Sequence, residues 1–346
     1  MGNAVSTATS ALLKNIEGLG PALVRGCAWL IDKQHEDGRW SDYAIGDQFT
    51  QRERQPIGAA TDWATAYAGL ALAEAAMTLK DPALHGSTAR AAGWLEKCRS
   101  YPRGWGFNGH TGPDVDSTAH AILLLRRLGR HVSDGDLGFL ISGVCPSGGF
   151  ATFPSGPGEW GRAHADVTPP ALLALPAAMR ATLIQESAAF LQRERRSDGL
   201  WPCYWWKTPY YGSYFALRLD RALGLGIDVP VTGAPENSLG IDDPCDAAFA
   251  AAIALLRHSA GSELTRLLAI TLDSQSRDGG WKGTRSLRVP RQTDANPWNH
   301  QSSPVYEDGE GILTTAHILR VLARIVPEAV SGGDSVPMYS NFELLS

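Results

Sequence analysis

The sequence predicts an all-α fold, an α/α toroid of about six helical hairpins, on three observations. A turn recurs at one spacing: Gln34-x-x-x-Gly38-x-Trp40, Gln275-x-x-x-Gly279-x-Trp281, and Arg195-x-x-x-Gly199-x-Trp201 with Arg in place of Gln. Each copy joins an amphipathic stretch to an Ala-rich one that opens with Asp, Thr or Ser, the alternation of a helical repeat. No segment shows the period-two alternation of a half-buried strand.

In chain order, the amphipathic outer helices fall around 21–34, 87–99, 134–142, 180–196 and 262–275. The inner helices begin near Asp62, Asp116, Asp166, Tyr211, Asp246 and Thr315. Stretches such as Ala64-Thr65-Ala66-Tyr67-Ala68-Gly69-Leu70 are small and apolar on every side, which suits an inner ring. Weaker turns occur at Gly104-Trp105 and Gly148-Gly149-Phe150. The outer member before Asp246 is shortened, because 224–242 carries Gly224, Gly226, Pro230, Gly233 and Pro235. Six inner helices favour closure over an open solenoid. The expected division is an N-terminal segment 1–20, one toroid domain 21–326 and a tail 327–346. Every outer-to-inner turn lands at the same end, so the inner-helix N-termini converge on one mouth.

Bulk properties bound the function. Of 346 residues, 44% are hydrophobic and 19% charged, and no apolar run approaches the roughly 18–20 residues that span a bilayer, so a soluble protein is expected. Met1 to Ser10 have neither the basic start nor the apolar run of a secretory signal, which makes the cytoplasm the expected location. Five cysteines, Cys27, Cys98, Cys145, Cys203 and Cys245, stand singly and read as small buried hydrophobes. A net charge of −5 argues against a nucleic-acid surface. Arg277, Lys282, Arg285, Arg288 and Arg291 form a local basic exception, read either as a solvated loop or as a grip on an anionic substrate group.

Eleven tryptophans outnumber the nine phenylalanines and the nine tyrosines, and their positions separate two roles. Trp40 and Trp281, in Gly-x-Trp turns, are expected to staple neighbouring hairpins. The run Trp201, Tyr204, Trp205, Trp206, Tyr210, Tyr211, Tyr214 and Phe215 leads into an inner helix, and Trp105, Phe107 and Trp160 sit in other mouth turns. Trp105, Phe107, Trp160, Trp205, Trp206, Tyr210, Tyr211 and Tyr214 are the expected pocket residues, since aromatic faces hold a cation at roughly 0.5–2 kcal/mol per ring without quenching it. At one inner-helix start stands Asp114-Val115-Asp116-Ser117-Thr118. Protonating an alkene needs a strong acid in a dry place, and a second carboxylate, a hydroxyl and helix N-terminal amides can stabilise the anion left behind. Helix capping is the competing reading of Asp62, Asp116, Asp166 and Asp246, and the preferred one for Asp62 and Asp246.

These residues resemble a known family. The Gln-x-x-Asp-Gly-x-Trp turns look like the QW motifs of squalene-hopene and oxidosqualene cyclases, and Asp114-Val115-Asp116-Ser117-Thr118-Ala119 looks like their D-x-D-D-T-A motif. The resemblance spans roughly 21–325. It implies a class II, protonation-initiated terpene cyclase in which Asp116 is the general acid and Asp114 the first aspartate, with Ser117 where the family has its third. Asp166-Val167-Thr168 resembles the stretch preceding the histidine that orients the acid. That histidine position holds Pro170 here, so His120 or His164 is the candidate replacement, and Ser117, Asp166 and His120 are the expected support of the acid. Beside the toroid no second helical domain like that of those cyclases is expected, and a homodimer or a lid is a way to cover the mouth. The implied substrate is the polyene chain of an isoprenoid or prenylated small molecule. No cofactor is implied, with Mg2+ entering only for a diphosphate substrate.

Two rivals stand beside it. In the prenyltransferase β-subunit, a zinc toroid, an Asp-x-Cys pair joins a distant His. Asp243-Pro244-Cys245 matches the pair, while His317 lies one turn beyond the expected place, where Thr314 stands, a serious offset for ligands that must converge within about 2.0–2.3 Å. The other rival is a non-catalytic isoprenoid-binding toroid.

Overall fold

The computed structural model describes residues 18–45, 58–100, 103–228, 240–259, 261–299 and 303–331. Among them lie eleven α-helices: α1 Leu19–Asp32, α2 Asp62–Leu79, α3 Pro82–Cys98, α4 Val115–Arg127, α5 Asp134–Ser142, α6 Thr168–Ala174, α7 Ala177–Glu194, α8 Tyr210–Leu223, α9 Pro244–Leu256, α10 Ser262–Asp273 and α11 Ile312–Ser331. Six of them form a closed inner ring. Helix α2 packs on α4, α4 on α6, α6 on α8, α8 on α9, α9 on α11, and α11 returns to α2. The outer helices α1, α3, α5, α7 and α10 lie against this ring. Most of segment 224–242, read as a shortened hairpin, lies outside the described residues, as do most of 1–20 and of the 327–346 tail.

Composition explains which helices go inside. From Asp62 to Ala76 every residue of α2 is buried, because alanines let neighbours approach on all sides. Helix α1, by contrast, buries one stripe through Leu19, Leu23, Cys27 and Leu30.

The recurring turn is a staple with three parts. The indole Nε1–H of each turn tryptophan donates to the carbonyl ten residues earlier: Trp40 to Leu30 (2.8 Å), Trp105 to Leu95 (2.8 Å), Trp201 to Leu191 (2.7 Å) and Trp281 to Thr271 (2.7 Å). The backbone N–H of the same residue donates to a hydroxyl in the first turns of the next inner helix, Thr65, Thr118, Ser213 or Thr315. Phe150 keeps this second bond with Thr168 although it has no indole. The glutamines tie successive hairpins together. Gln34 Nε2 donates to the Ser87 carbonyl at 3.0 Å, and Gln275 Nε2 donates to that of Ala22 at 2.9 Å, which joins the last outer helix to the first.

Short strands, unforeseen from the sequence, rim the mouth. β1 (Asp42–Ile45) pairs antiparallel with β2 (Gly58–Ala60), and β3 (Arg285–Arg288) with β4 (Val305–Glu307). Three- and four-residue strands are too short for an alternation pattern to emerge. β3 also holds the aromatic loop before α8: the Arg288 N–H donates to the Trp205 carbonyl at 2.7 Å, and the Lys207 N–H to that of Ser286 at 2.9 Å. Arg288 is buried and donates to the Lys207 carbonyl (2.6 Å). This member of the basic cluster is therefore structural, and the solvated-loop reading fails for it. No helix is long and apolar enough to cross a membrane among the described residues.

Candidate active site

The start of α4 divides its two aspartates between different tasks. Asp114 is the N-cap: its carboxylate accepts from the Ser117 N–H (2.7 Å) and from the Ser117 hydroxyl (2.7 Å). Burial pushes the Asp114 carboxyl up to about 6 despite these donors. Asp116, freed from capping, accepts one hydrogen bond, from Trp63 Nε1–H to Oδ2 at 3.1 Å. Its Oδ1 is buried with no hydrogen-bond partner among the described residues. Burial first, then the nearby Asp114 and Asp166 carboxylates, raise the Asp116 carboxyl well above the ordinary range, while the Trp63 donor and Arg320 oppose that rise. A carboxyl with one donor and little water keeps its proton at neutral pH.

His120, one turn on, lies beside the acid without sharing its proton. Its Nδ1 is 2.9 Å from the Asp116 carbonyl and 3.5 Å from Oδ1. A carbonyl only accepts, so Nδ1 carries the hydrogen and Nε2 is bare; Nε2 is buried without a partner among the described residues. Burial, aided by Arg320, lowers the imidazole to about 3, so it is neutral. His164 sits elsewhere, stacked on Tyr204 at 3.9 Å with Nε2 against the Glu159 carbonyl, which corrects its reading as an orienting residue.

Asp166 precedes α6 and accepts from the Trp205 N–H at 2.9 Å. Its approach to α8 depends on Gly212, where a Cβ would lie 3.2 Å from that of Asp166 and 2.8 Å from Cys203 Sγ. Burial raises its carboxyl to about 6.

The expected pocket aromatics divide into groups. Trp206 and Tyr211 stack on each other (4.3 Å) inside the ring. Trp206 also meets Trp63 (6.0 Å), and Trp63 stacks on Phe107 (5.9 Å). One turn deeper, Tyr67, His120, Phe215, Phe249 and His317 close the barrel with ring contacts, and Tyr214 joins them through Phe215 and Phe249. Trp160 and Trp205 form a separate half-buried rim cluster with Phe153 (Trp160–Trp205, 5.5 Å). Tyr210 is half-buried at the first residue of α8. Trp105 belongs to neither group. It is fully buried in the same staple as Trp40 and Trp281, so its expected pocket role gives way to a structural one.

Sequence reading missed several residues. Trp63 follows Asp62 outside any Gly-x-Trp register, and that absence was the available signal that it is no staple. Neither Asp62 nor Asp246 caps its helix: both lie in the first turn, with Thr61 and Asp243 at the N-caps. Below the rings, Glu74 meets Arg320 (3.1 Å), Arg324 (3.3 Å) and Arg218 (3.8 Å), all buried, a charged cluster that the sequence reading did not anticipate. At the opposite side of the mouth, Asp42 accepts from the Glu310 and Ile312 N–H groups, and Asp308 from that of Thr314. Burial and Asp42 raise the Asp308 carboxyl strongly.

Of the zinc set, Cys245 Sγ and His317 Nδ1 do approach, at 3.5 Å. Asp243 is engaged by the Cys245 and Asp246 N–H groups as the α9 cap. No group of three or more His, Cys, Asp or Glu suited to a metal ion forms among the described residues.

No protein-family model matches the chain, and no curated protein matches it in sequence. Solved structures do. The type II terpene cyclase MstE from Scytonema superposes with a TM-score of 0.72 at 22% identity, over 90% of this chain and 100% of that one. Structures of MstE variants hold geranylgeranyl dihydroxybenzoate as substrate and merosterolic acid A as product. A protein from Actinoplanes matches with a TM-score of 0.70 at 22% identity, over 88% of this chain and 98% of that one. An unsaturated glucuronyl hydrolase specific for heparin shares the architecture more loosely, with a TM-score of 0.56 at 11% identity, over 89% of this chain and 97% of that one. These likenesses establish the toroid fold. The hydrolase shows that the toroid alone does not choose a chemistry.

Proposed function

We propose that this protein is a class II terpene cyclase that closes the polyene chain of a prenylated small molecule, with Asp116 as the general acid. The observation that carries this reading is the Asp116 carboxyl itself: one hydrogen bond from Trp63, one bare buried oxygen, and 17% side-chain accessibility beside a field of aromatic rings. An alkene is a far weaker base than water, so the donor must be protonated at working pH and dry, and desolvation by rings meets both needs.

In the proposed reaction the terminal double bond of the chain takes the proton of Asp116. The π pair forms the new C–H bond and leaves a tertiary cation. Neighbouring double bonds attack in turn, the last cation gives up one proton to water, and water returns one proton to the Asp116 carboxylate, so the product is isomeric with the substrate. Trp63, Trp206 and Phe107 are the faces proposed to hold the cation. The remaining carboxylate is stabilised by the Trp63 donor and by the positive end of the α4 dipole. Ser117 acts through Asp114, whose carboxylate it holds, and Asp166 acts as a nearby carboxylate that discourages ionisation of Asp116 before the substrate arrives. Trp160, Trp205, Tyr210, Tyr211 and Tyr214 shape the surroundings.

The type II terpene cyclase MstE has geranylgeranyl dihydroxybenzoate as its substrate. Its likeness in fold and near-equal length supports a meroterpenoid substrate for this chain, in preference to the longer squalene-type chains that the motif resemblance alone suggests. Incubation of the purified protein with prenylated hydroxybenzoates tests the reading. A product of unchanged mass and fewer double bonds supports it. Recovery of every candidate substrate unchanged, with no affinity for them, counts against it.

A further inference from the structure

The three arginines beneath the rings have no part in the proton transfer described above, yet they lie behind the proton donor. Arg320 is buried and held by Glu74 through Nε and Nη2 at 3.3 and 3.1 Å. Its guanidinium lies over Tyr67 at 4.9 Å and over Phe215 at 5.1 Å. Both rings touch His120, Tyr67 at 4.5 Å and Phe215 at 6.0 Å. His120 in turn places Nδ1 3.5 Å from Asp116 Oδ1. The order Glu74, Arg320, ring pair, His120, Asp116 therefore runs from the barrel interior to the acid.

We propose that Arg320 is a positioning residue for the proton donor: its fixed charge, set behind the ring pair, keeps His120 uncharged and so leaves the proton on Asp116. The inference rests on the reading of Asp116 as the acid. An imidazole beside a carboxylic acid can take its proton, giving a His⁺–Asp⁻ pair that no longer protonates an alkene. Arg320 and His120 pack on the same two rings, Tyr67 and Phe215. Arg320 penalises the imidazolium more than it favours the carboxylate, and the neutral pair wins. Hydrogen bonding points the same way, since an imidazolium would present an Nε2–H with no acceptor among the described residues.

Other groups around His120 do not reverse this balance. On its own helix is Asp116; Asp166 precedes α6; α2 supplies Tyr67 and Glu74; α8 supplies Tyr211, Tyr214 and Arg218; α11 supplies His317, Arg320 and Arg324. The Glu74 carboxylate faces three guanidiniums, Arg320 the most closely. Burial and then Arg320 are the leading causes of the depressed His120 basicity, ahead of the opposing Glu74.

The test is histidine-labelled NMR of His120 between pH 4 and 8, assigned with His120→Gln and needing no substrate. The wild type is expected to show a neutral imidazole with the hydrogen on Nδ1 throughout. Arg320→Met is expected to bring the His120 titration up into the pH 4–8 window and to lower kcat on the acid side of that titration, where the imidazole charges, at unchanged KM. Arg320→Lys is expected to restore both. The double variant Glu74→Gln/Arg320→Met removes one buried charge of each sign, keeps an amide oxygen facing Arg218 and Arg324, and is expected to shift His120 in the same direction by less. An imidazolium in the wild type at pH 7, or an unchanged titration in either folded variant, overturns the inference while leaving the cyclase reading intact. Absence of turnover in the wild type defeats the cyclase reading, and the NMR result still stands alone.

Discussion

The indole Nε1–H of Trp63 and Oδ2 of Asp116 are 3.1 Å apart, and this is the one hydrogen bond to the Asp116 carboxyl among the described residues. It joins the first turns of two inner helices and favours the ionised form of the acid. Trp63→Phe keeps a ring and removes the donor. The expected result is about a tenfold lower kcat, the kinetic equivalent of about 1.4 kcal/mol, with the alkaline limb of the pH–rate profile displaced to higher pH. Steady-state kinetics across pH checks both.

The carboxyl cluster fixes the sign of the pH dependence. Turnover is expected to be flat in acid and to fall as pH rises through the elevated Asp116 value. Asp114 raises that value, so Asp114→Asn, which preserves a competent helix cap, is expected to move the fall to lower pH. Stability follows the same sign. Asp114 and Asp166 titrate at about 6 in the fold against about 4 unfolded, so their contribution is complete below pH 4 and is lost as pH rises through 6. Thermal unfolding is expected to show that Asp114→Asn loses less stability than the wild type between pH 5 and pH 8.

Trp105 and Trp206 separate staple from pocket. Trp105→Phe leaves the buried Leu95 carbonyl without its 2.8 Å partner, which is expected to cost about 1–3 kcal/mol with the product pattern unchanged. Trp206→Ala removes a ring that faces Trp63, Tyr211 and His317 and is expected to change the product mixture. Denaturant melts and product chromatography of the two variants distinguish the roles.

Glu74 is the counter-charge of three buried guanidiniums. Glu74→Ala removes the carboxylate that all three face and is expected to destabilise the fold by about 3–5 kcal/mol, read as a lower denaturation midpoint.

The toroid was legible because its repeat is local. Gln34 and Gln275 with their glycines and tryptophans spell the staple at constant spacing, and Ala-rich helices declare their inner position by composition. The aspartate pair was legible for the same reason, since Asp114 and Asp116 are two residues apart on one helix start. What stayed hidden depends on contacts distant in sequence. Trp63 meets Asp116 across 53 residues and Arg320 meets Glu74 across 246, and neither helix carries a mark that names its partner. Trp105 misled because its place beside Phe107 in a mouth turn suggested a pocket. The decisive fact was its register, ten residues beyond Leu95, which it shares with Trp40 and Trp281.

The most direct test of the central claim is cyclisation of geranylgeranyl dihydroxybenzoate in D2O by the wild type and by Asp116→Asn. If Asp116 delivers the first proton, the wild-type product gains one carbon-bound deuterium at the former terminal alkene, and the folded variant gives no product. Unlabelled product from the wild type, or equal product from the variant, contradicts the account.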